Sequence, residues 1–284
     1  MKIGFCMLLW TTSVGPEHRA LLEDIKATGY DGIEVPVFDG TPDDYASLGK
    51  MLDEVGLGRT AISVIPGLDQ HPLSEDAADR ARGIEHLKWL VDCAAAMGAE
   101  GIGGPLHQTL GHFSGAGTTP EEFDRAREVH RVVGDHAQAQ GQVIALEAIN
   151  RFEAYFANTM DDLCGYTRTL GHPAIKTMYD TFHANIEEQD PVAAYTRNVD
   201  EIVHVHISEN DRSTPGTGGI NWDANFDALK EVGYDGWMMI EAFGLALPEL
   251  VAATKIWRRM YESEEQLAKD GLAFMKAEVA KRWN

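Results

Sequence analysis

Short apolar runs bounded by polar residues recur along the chain, and they alternate with segments whose apolar positions repeat at helical spacing. The runs predict β-strands near KIGFCML (from Lys2), GIEVPVF (Gly32), TAISVI (Thr60), GIGGPL (Gly101), VIALEAI (Val143), IKTMYD (Ile175), IVHVHI (Ile202) and WMMIEAF (Trp237), eight in all. Between them lie amphipathic helices such as PEHRALLEDIKATGY and EDAADRARGIEHLKWLVDCAAAMG, several closed by the glycine that favours a helix C-terminus. KATGYDGIEV and KEVGYDGWMMIE share one arrangement of helix end, Gly-Tyr-Asp-Gly and next strand. Repeated strand-then-helix units joined by crossovers predict an α/β fold, the (β/α)8 TIM barrel. No linker or low-complexity stretch divides the chain, so residues 1–284 are expected to form a single barrel domain. An extra C-terminal helix, from about Ser263, opens with the capping-box pattern SEEQ and is expected to pack outside the barrel.

Composition narrows the picture. With 284 residues, 44% hydrophobic and 24% charged, the chain can bury a sizeable core. No apolar run approaches the roughly 18 residues of a membrane-spanning helix. The N-terminal MKIGFCMLLW lacks a small-residue cleavage site and is followed by Thr11, Thr12 and Ser13, so it reads as a first buried strand and not as a signal peptide. Cys6, Cys93 and Cys164 are scattered and odd in number, which fits a reducing cytoplasm. Twenty-four basic against 45 acidic residues give a formal charge of −21, a field that repels nucleic acid and anionic membranes.

In a barrel of this type the chemistry belongs at the C-terminal strand ends. The stretch MYDTFHANIEE gathers acid and imidazole after the sixth strand, and its neighbours end alike: Glu147 after strand five, Asp180 after six, His206 after seven, Glu241 after eight. One such residue alone is ordinarily structural. Three carboxylates together repel, and a divalent cation relieves the repulsion. One imidazole with carboxylate oxygens and no thiolate suits Mn²⁺ or Mg²⁺, with Co²⁺ as a further possibility. His204, on the same strand face as His206, is expected one layer deeper as a hydrogen-bonded core histidine. His107, His112, Glu187 and Glu188 are weaker candidates for touching substrate, with loop or helix-start roles as the alternative. Trp10, Phe243 and Ile207 offer apolar walls for a sugar, or ordinary barrel-top packing.

These motifs carry a resemblance. LEAINRFE, DTFHANIEE, HVHISENDR and MIEAF, with GIGGPLH and KIWRRM, resemble in order and spacing the ketose 3-epimerases, the D-tagatose and D-psicose 3-epimerase family of xylose-isomerase-like TIM barrels. The resemblance implies metal ligands at Glu147, Asp180, His206 and Glu241, and substrate-binding residues at Glu153, His183 and Arg212. It also implies a homodimer or homotetramer. Three positions depart from the family's usual pattern: Ala242 stands where it has proline, His206-Ile207-Ser208-Glu209 where it has HTGE or HLGE, and Cys6 where it has an aromatic.

The implied reaction is epimerisation of a ketose at C3 through a cis-enediolate, with the metal-bound Glu147 and Glu241 as acid and base. An aldose–ketose isomerase of a short sugar, of hydroxypyruvate or erythrulose type, would use the same intermediate. A 3-epimerase of a phosphorylated ketose is a further alternative, since the glycine-rich TPGTGG after strand seven could cradle phosphate. A metal-dependent DNA-repair nuclease needs more ligands and a basic surface, which the charge opposes. A non-catalytic sugar-binding protein is opposed by an intact four-ligand set together with His183 and Arg212.

Overall fold

A computed structural model describes residues 1–283. Eight parallel strands close in sequence order: β1 (Lys2–Cys6), β2 (Gly32–Pro36), β3 (Gly58–Ile62), β4 (Ile102–Gly104), β5 (Ile144–Glu147), β6 (Ile175–Asp180), β7 (Ile202–Ile207) and β8 (Trp237–Ile240). The barrel is sealed where Lys2 to Phe5 of β1 pair with Trp237 to Ile240 of β8. All eight expected strands are present.

Around them run α1 (Arg19–Thr28), α2 (Pro42–Val55), α3 (Ala77–Met97), α4 (Pro120–Ala139), α5 (Met160–Leu170), α6 (Thr181–Glu187), α7 (Pro191–Arg197), α8 (Trp222–Glu231), α9 (Pro248–Thr254) and α10 (Glu264–Arg282). Alternation along each strand sends residues such as Phe5, Ile33, Val35, Val205 and Ile207 into one main core between strands and helices. The opposite set fills the barrel. Gly4 leaves room there for Met239, whose Sδ would lie 2.3 Å from an added Cβ, and Gly103 faces Met178, Glu34 and His204.

The expected C-terminal helix is α10, which packs against α1, α8 and β1 and accepts the Tyr30 hydroxyl at the Ala268 carbonyl, 2.7 Å away. Only half of its anticipated capping box forms. Ser263 Oγ accepts the Gln266 N–H at 3.1 Å, while the Gln266 side chain turns forward to Asp270. Among the described residues no helix is long and apolar enough to cross a membrane.

Candidate metal centre and active site

Glu147 closes β5, Asp180 closes β6, His206 is the penultimate residue of β7, and Glu241 follows β8 directly. Register aligns them: Asp180 pairs with His206, and Glu147 with Met178 beside it. One ligand atom from each of the four lies within 4.8 Å of every other, and all four residues are buried. Asp180 does double duty, since its Oδ1 also caps α6 by accepting the N–H groups of Phe182 and His183 at 2.6 and 3.1 Å.

The electrostatics are those of a cation site. Burial, then the neighbouring Glu241 and Asp180, push Glu147 well above the usual carboxylate range. Asp180 is held low in spite of burial because the Arg212 guanidinium and the His206 and His183 rings stand beside it. His206 Nδ1 is buried and has no hydrogen-bond partner among the described residues, though Glu241 Oε1 and Asp180 Oδ2 lie 3.5 and 3.6 Å away. An imidazole nitrogen without a hydrogen-bond partner, set among three carboxylates, is a donor set that fits a divalent cation.

Arg212 spans the far side of this cluster. Its Nη1 donates to Asp180 Oδ2 at 3.2 Å, to Ser208 Oγ at 2.9 Å and to Glu241 Oε2, while its Nη2 lies 2.9 Å from His183 Nε2. The guanidinium stacks 3.8 Å from the Phe182 ring centroid and 5.2 Å from that of Phe243. Its backbone sits at φ +64°, a left-handed conformation costly for a residue other than glycine and typical of places where function fixes the geometry. Burial and then Arg212 push His183 down to about 3, so this ring is neutral. Asn150 links His183 to Glu153: its Nδ2 lies 2.9 Å from His183 Nδ1 and donates to Glu153 Oε2, and burial raises the Glu153 carboxyl.

Of the weaker candidates, Phe243 reaches the site through Arg212, but Trp10 and Ile207 do not. The short 3-10 turn after β1 carries Trp10 onto the outward-facing Phe5, with centroids 4.8 Å apart, in a groove against α1 and α10. Ile207 alternates with His206 and so faces the helix layer. Glu187 holds Arg151 in a two-pronged ion pair, and Glu188 accepts the Met160 N–H at the start of α5, so both glutamates of NIEE tie down loops. His112 packs edge-on against His71, and His107 is buried beside Phe156 and pushed down to about 3 by burial.

The alternative in which TPGTGG offers its N–H groups to a phosphate finds those groups engaged. Buried Glu209 accepts the Gly216 and Ile220 N–H groups at 2.8 and 3.2 Å and the Trp222 indole at 2.9 Å, while Asn210 takes the Gly219 N–H, so a carboxylate already fills the cradle. His204 is the core histidine expected, 2.9 Å from Glu34 Oε1. Glu34 itself escaped the sequence reading. Its signal was there, an acidic residue inside the apolar run GIEVPVF, but its partner His204 lies 170 residues away.

Residues 22–278 match the family model of the xylose isomerase-like TIM barrel. The L-ribulose 3-epimerase of Mesorhizobium japonicum is 33% identical over 96% of this chain and 93% of its own length. A solved L-ribulose 3-epimerase structure superposes with a TM-score of 0.93 at 30% identity, covering 99% of this chain and 95% of that one. The D-allulose 3-epimerase of Methylomonas sp., solved in complex with D-allulose, superposes with a TM-score of 0.90 at 26% identity, covering 98% and 97%.

Proposed function

We propose, because this chain belongs to the ketose 3-epimerase family of xylose isomerase-like TIM barrels, that it inverts C3 of a free 2-ketose through a cis-enediolate. Like its relatives it is an isomerase, a carbohydrate epimerase. The observation that carries the finer reading is the convergence of Glu147, Asp180, His206 and Glu241 on one point, with Arg212 and His183 beside it. Those four residues would hold one divalent cation, Mn²⁺ by donor type, with Mg²⁺ or Co²⁺ as alternatives. When bound, it supplies Lewis acidity that stabilises negative charge on the ketose oxygens by several kcal/mol.

The chain's own groups do the rest. Inversion needs a proton removed from one face of the sugar and returned to the other, and Glu147 and Glu241 enter from β5 and β8 with Asp180 and His206 between them. One takes the C3 proton while the other, protonated, delivers its own. Arg212 cannot act as a base at neutral pH, so it donates to the enediolate oxygens, and neutral His183 adds a second polar contact. Glu153, tied through Asn150, orients a hydroxyl at the O1 to O3 end, and Phe243 walls the pocket beside Arg212. The carboxylate already seated in the TPGTGG loop supports a free substrate over a phosphorylated one. Buried free cysteines fit a cytoplasmic enzyme, and the family resemblance supports a homodimer or homotetramer.

The test is a reaction in D₂O with added Mn²⁺ and a panel of free and phosphorylated ketoses, followed by NMR. Deuterium at C3 of both epimers, with the ketose retained, is expected. Accumulation of an aldose assigns the enzyme to the isomerases of short sugars, and turnover confined to phosphorylated ketoses overturns the free-sugar assignment.

A further inference from the structure

Below the four converging ligand atoms lies a second buried group that the chemistry above leaves unused: Glu34 of β2 with His204 and His206 of β7. We infer that Glu34 is a positioning residue for the metal centre, setting which nitrogen of His206 faces the cation and placing a fourth negative charge behind that ring. The inference rests on the metal-dependent reading just given.

Two edges of the His206 ring face different partners. Nδ1 looks toward Asp180 and Glu241, and Nε2 lies 2.8 Å from Glu34 Oε2. At that distance the two atoms form a charge contact and not an aligned hydrogen bond, neither has a hydrogen-bond partner among the described residues, and both residues are fully buried. A ligating nitrogen must be bare, and a neutral imidazole carries one proton. An ionised carboxylate can only accept, so its place beside Nε2 draws the proton there and leaves the Nδ1 lone pair for the cation.

Glu34 is itself fixed. Its Oε1 accepts from Thr60 Oγ1 at 3.2 Å and lies 2.9 Å from His204 Nε2, so two neighbouring side chains hold the carboxylate plane while Oε2 serves His206. Gly103, on the adjacent β4, keeps this layer open: a Cβ there would lie 3.0 Å from Met178 Sδ and 3.8 Å from both Glu34 Oε1 and His204 Cδ2. The arrangement thus runs from carboxylate to imidazole to cation site through fully buried side chains.

Glu34→Gln is nearly isosteric, removes the charge and lets an amide N–H face Nε2. For chelated protein that keeps its circular dichroism and cooperative metal-free unfolding, calorimetric Mn²⁺ binding is expected to weaken about 10- to 100-fold. Glu34→Asp, which keeps the charge, should recover part of that loss. In Mg²⁺-loaded wild-type protein, ¹⁵N imidazole shifts are expected to show His206 protonated at Nε2, the nitrogen beside Glu34, and unprotonated at Nδ1. A Gln variant that binds Mn²⁺ within about threefold of wild type, far short of that loss, overturns the inference, as does Mg²⁺-loaded wild-type protein in which His206 carries its proton on Nδ1 and not on Nε2. The second result decides the matter even where the Gln variant fails to fold. Wild-type protein that binds no divalent cation overturns the reading of the site itself and this inference with it.

Discussion

Glu147 and Glu241 bracket the cluster from β5 and β8, and the account makes each of them both a ligand and a proton carrier. Glu147→Gln and Glu241→Gln remove the proton chemistry while keeping side-chain volume. Each is expected to lower kcat on a free ketose by at least roughly 10²- to 10⁴-fold, with circular dichroism unchanged. Near-normal turnover in either variant removes that residue from the acid–base pair. These positions were legible because a carboxylate at the end of an apolar strand is costly unless something charged receives it, and four successive strands repeated the signal. Glu34 was not legible for the same reason in reverse: its compensation comes from β7, across the barrel interior, where no local pattern points. Trp10 misled because the turn after β1 rotates the chain outward, so proximity in sequence to a strand end did not place the side chain at the mouth.

The elements that position the site are held by local chemistry that can be tested one terminus at a time. Asp180 caps α6 from the end of β6, which fixes His183 one turn away and couples the short helix to the centre. At the periphery, Ser263 caps α10 through a single hydrogen bond. Ser263→Ala is expected to cost about 1 kcal/mol of unfolding free energy in denaturant titration while leaving turnover unchanged. A loss near zero would mean that the packing of α10 on α1 and α8 alone fixes its start. The eight strands and the long helices were readable from their periodicity, which burial on one or both faces imposes. The short α6, α7 and α9, at seven residues each, have too few turns to show a period, and they depend on caps and tertiary contacts.

For the whole molecule, the buried imidazoles set an acid limit separate from the active site. Burial pushes His71 and His130 down to about 4 and His107 to about 3, against about 6.5 in an unfolded chain. Between about pH 6.5 and 4 the unfolded chain therefore binds protons that the folded protein does not, so stability falls as pH is lowered through that window. Each such group contributes up to about 1.4 kcal/mol per pH unit. Denaturant unfolding of chelated protein at pH 7, 6 and 5 should show this decline, and His130→Gln should make it shallower by about one proton's worth; an unchanged slope would remove His130 from the set. The chain carries a formal charge of −21 and closes into a barrel whose candidate metal cluster is gathered on the second half of the strands. The most direct test of that arrangement is the turnover of a free ketose by thoroughly chelated enzyme as Mn²⁺ is titrated back. The account predicts negligible rate without the ion and a rise to a plateau at one equivalent per chain. Full rate in the chelated enzyme, with its fold intact, would contradict it.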